Sequence, residues 1–339
     1  MKNILITGGA GFIGSNFILY FLAKYPNYHI INIDLLTYAG NLANLHGVEK
    51  HQNYTFIRGD ICDEALIKEL FAKFEIEYVI HFAACSHVDN SISNPASFVQ
   101  TNINGTFNLL HNAYLAWFSA PHKPKANKAH CVFHHISTDE VFGSLGVSGL
   151  FSESSPYAPN SPYSASKASS DMLVRSYFHT YGLKSFVTNC SNNYGPKQHN
   201  EKLIPTIIRN ALMQRDIPIY GDGKNVRDWL YVEDHCRAID MVFHSSYFGE
   251  SFCIGGNCEK QNIEIAHYIC TQLDRLAPKK AGSYREQISF VQDRAGHDRR
   301  YGIDSTKIAK ALTWQPQESF ESGMEKTLAY YLNLYKDLR

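Results

Sequence analysis

The chain has 339 residues, 44% of them hydrophobic, and its 32 lysines and arginines balance 32 aspartates and glutamates. This length can bury a substantial core, and the balanced charge excludes a broad surface for nucleic acids or membranes. No apolar run reaches the ~18 residues that cross a bilayer, and no signal peptide precedes the first apolar run, so we expect a cytoplasmic protein.

The chain opens with an apolar run, 4–7, followed by a glycine-rich turn, 8–14, and a helix-like segment. Glycine suits such a turn because the chain must adopt positive φ and its N–H groups must approach a pyrophosphate. Asp34 follows Gly14 by twenty residues, at the end of the apolar run 29–33. An acid there accepts hydrogen bonds from an adenosine ribose and repels a 2′-phosphate. We therefore predict an NAD site and not an NADP site.

The first half of the chain alternates strand-like and helix-like segments, as a doubly wound parallel sheet requires. We expect Asp60 and Ile61, at the end of one strand, to flank the adenine. Ala83 and Ala84 end the next strand and are small enough for a cofactor to lie against the backbone. The predicted strands are 54–61, 78–84, 130–136 and 184–190, and the predicted helices are 64–74, 102–117 and 163–181.

The strand–helix alternation weakens around 192–196, where short strands, prolines and loops begin to mix. This change predicts a second, smaller α/β domain. The run 251–256 resembles a strand that returns to the first domain. We therefore predict an NAD-binding Rossmann domain at 1–190 with a returning segment at about 229–258. The remaining ranges, 191–228 and 259–339, form the second domain.

Tyr163 and Lys167 form a Tyr-x-x-x-Lys motif whose spacing places both side chains on one helix face. A nearby ammonium favours phenolate, so we expect Lys167 to lower the pKa of Tyr163 and make it a usable base. Tyr20–Lys24 and Tyr220–Lys224 have the same spacing. Only Tyr163–Lys167 follows a strand with a polar end and a helix start, so we predict that this pair is catalytic.

Ser137, Thr138, Asp139 and Glu140 come directly after the predicted strand 130–136. Ligands of open α/β sheets bind at the carboxyl ends of strands, so these side chains should face the cofactor cleft. Two adjacent carboxylates in a cleft do not ionise independently, and one tends to hold its proton while the other acts as a base. The run therefore predicts an acid–base pair.

The eight cysteines show no metal-like spacing, and the sixteen histidines form no ligand motif. We expect no metal site. Several cysteines lie in apolar runs, which is typical of buried, reduced thiols.

These segments together resemble the extended short-chain dehydrogenase/reductases and, within them, the dTDP-glucose 4,6-dehydratase family. The Thr138–Glu140 run distinguishes the dehydratases from related epimerases and decarboxylases, which do not usually carry an Asp-Glu pair there. The resemblance implies conversion of dTDP-glucose to dTDP-4-keto-6-deoxyglucose and water by internal hydride transfer through bound NAD. It covers nearly the whole length and rests on 7–14, 36–42, 86–89, 135–141, 161–167, 189–196, 227–234 and 296–301.

The family implies a role for each matching catalytic residue. Tyr163, poised by Lys167, takes the proton of the 4-hydroxyl as hydride leaves carbon 4, and Thr138 hydrogen-bonds that oxygen. Glu140 then removes the proton of carbon 5, and Asp139 protonates the departing 6-hydroxyl. Hydride finally returns to carbon 6, and a proton returns to carbon 5.

Two further sets of residues are expected to bind the ligands. Among them, Arg227 and Arg294 are the expected pyrophosphate clamps, because a guanidinium fork matches phosphate oxygens. Arg299 and Arg300 are expected to be structural charges. The cofactor set is Gly8, Gly11, Phe12, Ile13, Gly14, Asp34, Leu35, Thr37, Asp60, Ile61, Phe82, Ala83, Ala84, Ser86, Thr101, Tyr163, Lys167 and Asn193. The nucleotide-sugar set is His87, Thr138, Asn192, Lys202, Leu203, Pro218, Ile219, Tyr220, Arg227, Asn262, Arg294, His297 and Tyr301.

Relatives dimerise through the helices at 102–117 and 163–181, so we expect a homodimer. Apolar residues expected beyond the core-facing stripes of these helices are Phe107, Leu110, Tyr114, Met172, Val174 and Tyr177.

Two alternative functions remain open from the sequence. One is another nucleotide-sugar dehydratase or epimerase that acts on a UDP-sugar, since the methyl group of thymine is worth only ~1–3 kcal/mol in an apolar pocket. The other is an NAD-binding protein without catalysis.

Overall fold

The computed structural model describes residues 1–336 as an α/β protein. The strands are β1 (Lys2–Thr7), β2 (Tyr28–Asp34), β3 (Tyr54–Arg58), β4 (Tyr78–His81), β5 (Phe118–Ala120), β6 (Lys123–Pro124), β7 (Val132–Thr138), β8 (Ser185–Cys190), β9 (Asn192–Tyr194), β10 (Ile217–Tyr220), β11 (Val226–Tyr231), β12 (Ser251–Ile254), β13 (Glu259–Gln261) and β14 (Ile288–Val291). The α-helices are α1 (Phe12–Lys24), α2 (Glu64–Lys73), α3 (Val88–Ser93), α4 (Pro95–Phe98), α5 (Gly105–Trp117), α6 (Pro162–Tyr181), α7 (Leu203–Leu212), α8 (Val232–Phe243), α9 (Asn262–Leu276), α10 (Thr306–Leu312) and α11 (Phe320–Leu334). A π-helical turn spans Val99–Asn104, and 3-10 turns span Leu42–Leu45, Asp139–Phe142 and Tyr284–Gln287.

The main sheet has seven strands in the order β12-β8-β7-β4-β1-β2-β3, and every pair in it is parallel. The predicted doubly wound sheet is therefore confirmed. Alternate residues of β1 enter different cores, because Ile4 and Ile6 pack on one face of the sheet and Leu5 packs on the other. The strand order reverses between β1 and β4, which is where such sheets bind ligands.

A second hydrophobic core lies among α7, α9 and α11 and the short strands β9 to β11. It gathers residues between Tyr194 and Tyr335, among them Trp229 and Tyr231, which lie in the segment that we expected to return to the first domain. Ile308 and Trp314, which we expected in the second domain, pack with the core of the main sheet. β12 joins the main sheet beside β8. Residues 337–339 of the expected domain lie outside the described residues.

Helices α5 and α6 expose fewer apolar residues than we expected. Leu110, Val174 and Tyr177 are buried in the core beneath the sheet, so the expectation that they lie outside the core-facing stripe is wrong. Phe107 and Met172 are 46% and 56% exposed, as expected. Tyr114 is partly buried, while Val99 and Leu115 add to the exposed apolar residues of the same region.

Within residues 1–336, no helix has both the length and the apolar character needed to cross a membrane.

Candidate active site

The glycine-rich turn joins β1 to α1 and leaves no room for a side chain at Gly8 or Gly14. Gly8 has φ +69°, and a Cβ there would lie 2.7 Å from the backbone of Ala83 at the end of β4. A Cβ on Gly14 would lie 2.5 Å from the carbonyl oxygen of Gly8. These glycines therefore allow β1, β4 and the N-terminus of α1 to meet, where free N–H groups favour an anion.

Asp34 ends β2 and fastens this turn. Its Oδ2 accepts a hydrogen bond from the N–H of Ala10 at 2.9 Å, and its Oδ1 accepts one from the N–H of Leu36 at 2.8 Å. Burial raises the pKa of Asp34, whereas these two hydrogen bonds act in the opposite direction. The acid predicted to bind a ribose is thus held rigidly at the edge of the cleft.

One cleft, at the point where the strand order reverses, collects all of the residues predicted to bind the cofactor. The predicted residues that line it extend along the chain from the glycine turn to Asn193. The sequence did not indicate several further lining residues, which adjoin predicted ones or come from the loop after β9: Ile33, Ala39, Gly40, Gly59, Cys85, Ile136, Cys190, Ser191, Gln198, His199 and Glu201.

The five predicted catalytic residues line the same cleft. Tyr163 and Lys167 lie in the first turns of α6, which begins with Pro162 and a capping box between Ser161 and Ser164. Both side chains are buried. Lys167 Nζ donates a hydrogen bond to the carbonyl oxygen of Ile136 at 2.8 Å, which ties α6 to β7.

The expected lowering of the Tyr163 pKa is not what this structure produces. Burial raises the pKa of Tyr163 well above its ordinary value, and Glu140 adds to the effect, while a hydrogen bond with Thr138 opposes it. Burial also lowers the pKa of Lys167 to about 8, because it disfavours the charged ammonium form. A phenolate at Tyr163 therefore requires additional positive charge in the cleft.

Asp139 and Glu140 lie in the 3-10 turn that follows β7, and their environments differ. Burial raises the pKa of Asp139 well above its usual range, and the charges of Glu140 and Asp228 raise it further. Burial also raises the pKa of Glu140, but the cations Arg294, Lys202 and Arg227 act in the opposite direction. This difference suits Asp139 as a protonated acid and Glu140 as an ionised base.

The hydroxyl of Thr138 bonds the carboxyl group of Asp139 and the backbone of Glu140. It donates a hydrogen bond to Asp139 Oδ1 and accepts one from the N–H of Glu140, both at 3.2 Å. Asp139 Oδ2 is buried and has no hydrogen-bond partner within residues 1–336. Since a buried oxygen without a partner is costly, this atom is available to a ligand hydroxyl.

The two other Tyr-x-x-x-Lys pairs lie outside this cleft. Tyr20 and Lys24 both donate hydrogen bonds to Asp240 Oδ2, at 2.8 and 2.7 Å, and so fasten α1 to α8. Tyr220 ends β10, and Lys224 follows in the turn after it. Of the three pairs, Tyr163–Lys167 is therefore the one that lines the cleft.

The predicted nucleotide-sugar residues fall into two groups. Thr138, Asn192 and Lys202 line the cofactor cleft itself. Lys202 Nζ donates to the carbonyl oxygen of Ser86 at 3.0 Å and so links the two halves of the molecule. The remaining residues of the set do not line this cleft, and most belong to the second half of the chain.

Asp89, on α3, collects several residues of the second group. Tyr220 donates to its Oδ2 at 3.3 Å, Arg294 Nη1 lies 3.5 Å from its Oδ1, and His87 Nε2 lies 3.9 Å from its Oδ2. The sequence reasoning did not single out Asp89, because Tyr220 and Arg294 are far from it in the chain.

Arg227 is more constrained than a free pyrophosphate clamp. It is buried, it donates to the carbonyl oxygens of Val226 and Asp298 at 2.8 and 3.0 Å, and its guanidinium lies 4.3 Å from the ring centroid of Tyr301. The hydroxyl of Tyr301 donates to Asp298 Oδ2. Only some of the N–H donors of the Arg227 guanidinium therefore remain available to a ligand.

Other members of the second group differ in what they can offer. The side chain of Ile219 is buried in the second core, so only its backbone is available to a ligand. Leu203 packs partly against that core, and Pro218 lies beside Ile219 in β10. His297 Nδ1 is paired with Asp293 at 2.6 Å. Asn262 Oδ1 is buried without a hydrogen-bond partner in the described part of the chain.

Arg299 and Arg300 are structural charges, as predicted. Each makes a two-pronged ion pair, Arg299 with Asp222 and Arg300 with Glu259.

Comparisons with known proteins agree with this geometry. Residues 5–327 match the family model described as GDP-mannose 4,6 dehydratase. The chain is 52% identical over 338 residues to dTDP-glucose 4,6-dehydratase of Salmonella typhimurium, with 97% of this chain and 92% of that protein covered. It is 51% identical over 337 residues to the enzyme of the same name from Neisseria meningitidis, covering 98% and 94%.

Solved structures show the same likeness. A dTDP-glucose 4,6-dehydratase from Bacillus anthracis, in complex with NAD, has a TM-score of 0.86 at 44% identity, with both chains fully covered. DesIV, a dTDP-glucose 4,6-dehydratase from Streptomyces venezuelae with NAD and TYD bound, has a TM-score of 0.88 at 42% identity, again with full coverage.

The main sheet, the glycine turn and the Tyr163–Lys167 pair define an extended short-chain dehydrogenase/reductase with a Rossmann fold. The Asp139–Glu140 pair and the full-length likeness narrow this class. The chain belongs to the dTDP-glucose 4,6-dehydratase family.

Proposed function

We propose that this protein converts dTDP-glucose to dTDP-4-keto-6-deoxyglucose and water, and that its cofactor is NAD. The observation that carries the proposal is the pair Asp139 and Glu140, which lies in one cleft with Tyr163 and Lys167 and whose two members face different neighbouring charges. Loss of water across two carbon atoms needs an acid and a base together, whereas epimerisation at carbon 4 needs no such pair.

The cleft fits NAD at several points. The glycine turn admits a backbone approach that a Cβ would block, and Asp34 stands where a ribose hydroxyl is recognised. When bound, NAD supplies a positively charged acceptor of hydride and, after reduction, a hydride donor. The residues proposed to hold it are the predicted cofactor set from Gly8 to Asn193, every member of which lines the cleft.

The proton transfers are assigned to residues of this chain. Tyr163 takes the proton of the 4-hydroxyl, while Thr138 hydrogen-bonds the same oxygen. Glu140, whose carboxylate form is favoured by three nearby cations, removes the proton of carbon 5. Asp139, which burial keeps protonated, gives its proton to the departing 6-hydroxyl. The buried hydroxyl of Thr138 bonds both of these residues and sets their relative positions.

The test is the mass of the product formed by purified protein from dTDP-glucose and, in parallel, from UDP-glucose. The proposal predicts a product lighter by one water from dTDP-glucose. A product of unchanged mass would indicate an epimerase, and faster dehydration of UDP-glucose would reassign the substrate. No turnover of either sugar would favour an NAD-binding protein without catalysis.

We further propose a homodimer that is assembled through α5 and α6. The support is the group of exposed apolar residues Val99, Phe107, Leu115 and Met172 on these helices and the turn before α5. Such side chains gain stability when a second copy covers them. A cytoplasmic location is consistent with the eight cysteines, all of which are unpaired.

A further inference from the structure

A buried charged network lies behind the catalytic lysine. Asp171 follows Lys167 by one turn on α6, and His135 projects from β7 between them. His135 Nε2 lies 3.2 Å from Lys167 Nζ and 3.3 Å from Asp171 Oδ1. All three side chains are almost fully buried, at 3%, 0% and 2% exposure for Lys167, His135 and Asp171.

We infer that Asp171, acting across His135, is a positioning residue that keeps Lys167 protonated and aimed into the cleft. It lines no part of the cofactor cleft, so it acts through Lys167 and not on the substrate. The inference rests on the proposed catalytic role of Lys167.

The surroundings of Lys167 make Asp171 its counter-charge. Burial lowers the pKa of His135 and of His81 well below the ordinary range, so both imidazoles are neutral. Burial raises the pKa of the Cys190 thiol to about 12. Burial lowers the pKa of Lys167 to about 8, and the charge of Asp171 acts against that change. The titratable groups around Lys167 are His81 on β4, His135 on β7, Cys190 on β8, and Tyr163 and Asp171 on α6.

Asp171 is also held in place as an anion. Burial raises the pKa of Asp171, whereas the charge of Lys167 and three donated hydrogen bonds oppose that rise and favour the carboxylate. A carboxylate that accepts several hydrogen bonds keeps its position as well as its charge. The donors to Oδ2 are Ser137 Oγ at 2.9 Å, the Tyr157 hydroxyl at 2.9 Å and Asn189 Nδ2 at 3.0 Å.

The test compares the pH profile of dTDP-glucose dehydration in Asp171→Asn, Asp171→Glu and Tyr157→Phe. In the wild type, kcat should fall on the alkaline side as Lys167 loses its proton. Asp171→Asn, which keeps the shape but not the charge, should move that fall to lower pH by about one unit, with KM little changed. Asp171→Glu keeps the charge, and Tyr157→Phe removes only one hydrogen bond to Asp171, so both should leave the alkaline fall where it is.

A profile that does not move in Asp171→Asn, with kcat reduced equally at every pH, would show a purely structural role and overturn the inference. If Asp171→Asn does not fold, Asp171→Glu decides, because a shifted alkaline fall in that variant contradicts a role that depends on charge. A wild-type protein with no dehydratase activity would instead refute the proposed function, so the two failures are distinguishable.

Discussion

Replacement of Gly14 by alanine should weaken NAD binding more than it affects the fold. The added Cβ would lie 2.5 Å from the carbonyl oxygen of Gly8 and 2.9 Å from Cα of Gly9, both of which are backbone atoms. Ordinary contact begins at 3.4 Å, so α1 and the turn must separate by about 0.9 Å. A shift of that size lengthens hydrogen bonds from the N-terminal N–H groups of α1 beyond useful range.

Loss of one or two such hydrogen bonds, each worth about 1.5–3 kcal/mol to a charged group, predicts NAD affinity lower by at least tenfold. Isothermal titration calorimetry of cofactor-free protein measures this affinity, with the thermal midpoint as a check on folding. Gly146→Ala is the matched control, because a Cβ there meets no atom within 4 Å and its φ is not positive. Unchanged NAD affinity in a folded Gly14→Ala variant would refute the assignment of this turn to the pyrophosphate.

Three further predictions concern chemistry, assembly and a structural lysine. Asp139→Asn should slow dehydration by about 10²–10⁴-fold but retain exchange of the carbon 5 hydrogen with solvent, whereas Glu140→Gln should abolish that exchange. NMR in D₂O measures the exchange, and its loss in both variants would contradict the assigned roles. Replacing Phe107 and Met172 together by glutamate should give a folded monomer in sedimentation experiments, and an unchanged sedimentation coefficient would reject this dimer face. Lys24→Met removes the ion pair with Asp240 and should therefore lower the free energy of unfolding in urea by about 1 kcal/mol, with kcat unchanged. Loss of activity in the folded variant would contradict a structural role for Lys24.

The first half of the fold could be predicted because its signals are local. β1, the glycine turn, α1 and Asp34 follow one another within a short stretch, and each has a distinct residue pattern. Helices α3 and α4 were missed, since they are only six and four residues long and carry little periodicity. The π-helical turn before α5 also left no signal, although Thr101 within it lines the cleft.

The less predictable part of the site depends on contacts between distant residues. Asp89 meets Tyr220 across 131 positions of the chain, and Ser137 meets Asp171 across 34. The direction of the Tyr163 pKa shift was also wrong, because the sequence shows the neighbouring lysine but not how deeply both groups are buried. Residue spacing thus indicated the candidate catalytic groups, whereas their burial and counter-charges could be read only from the structure.

The measurement that tests the central claim most directly is the fate of the carbon 4 hydrogen. dTDP-glucose deuterated at carbon 4 should give a 4-keto-6-deoxy product that carries the deuterium at carbon 6, as read by mass spectrometry and NMR. Deuterium retained at carbon 4 would indicate an epimerase, and deuterium released from the sugar would indicate a simple dehydrogenase. Either result would contradict the assignment of this cleft as a 4,6-dehydratase site.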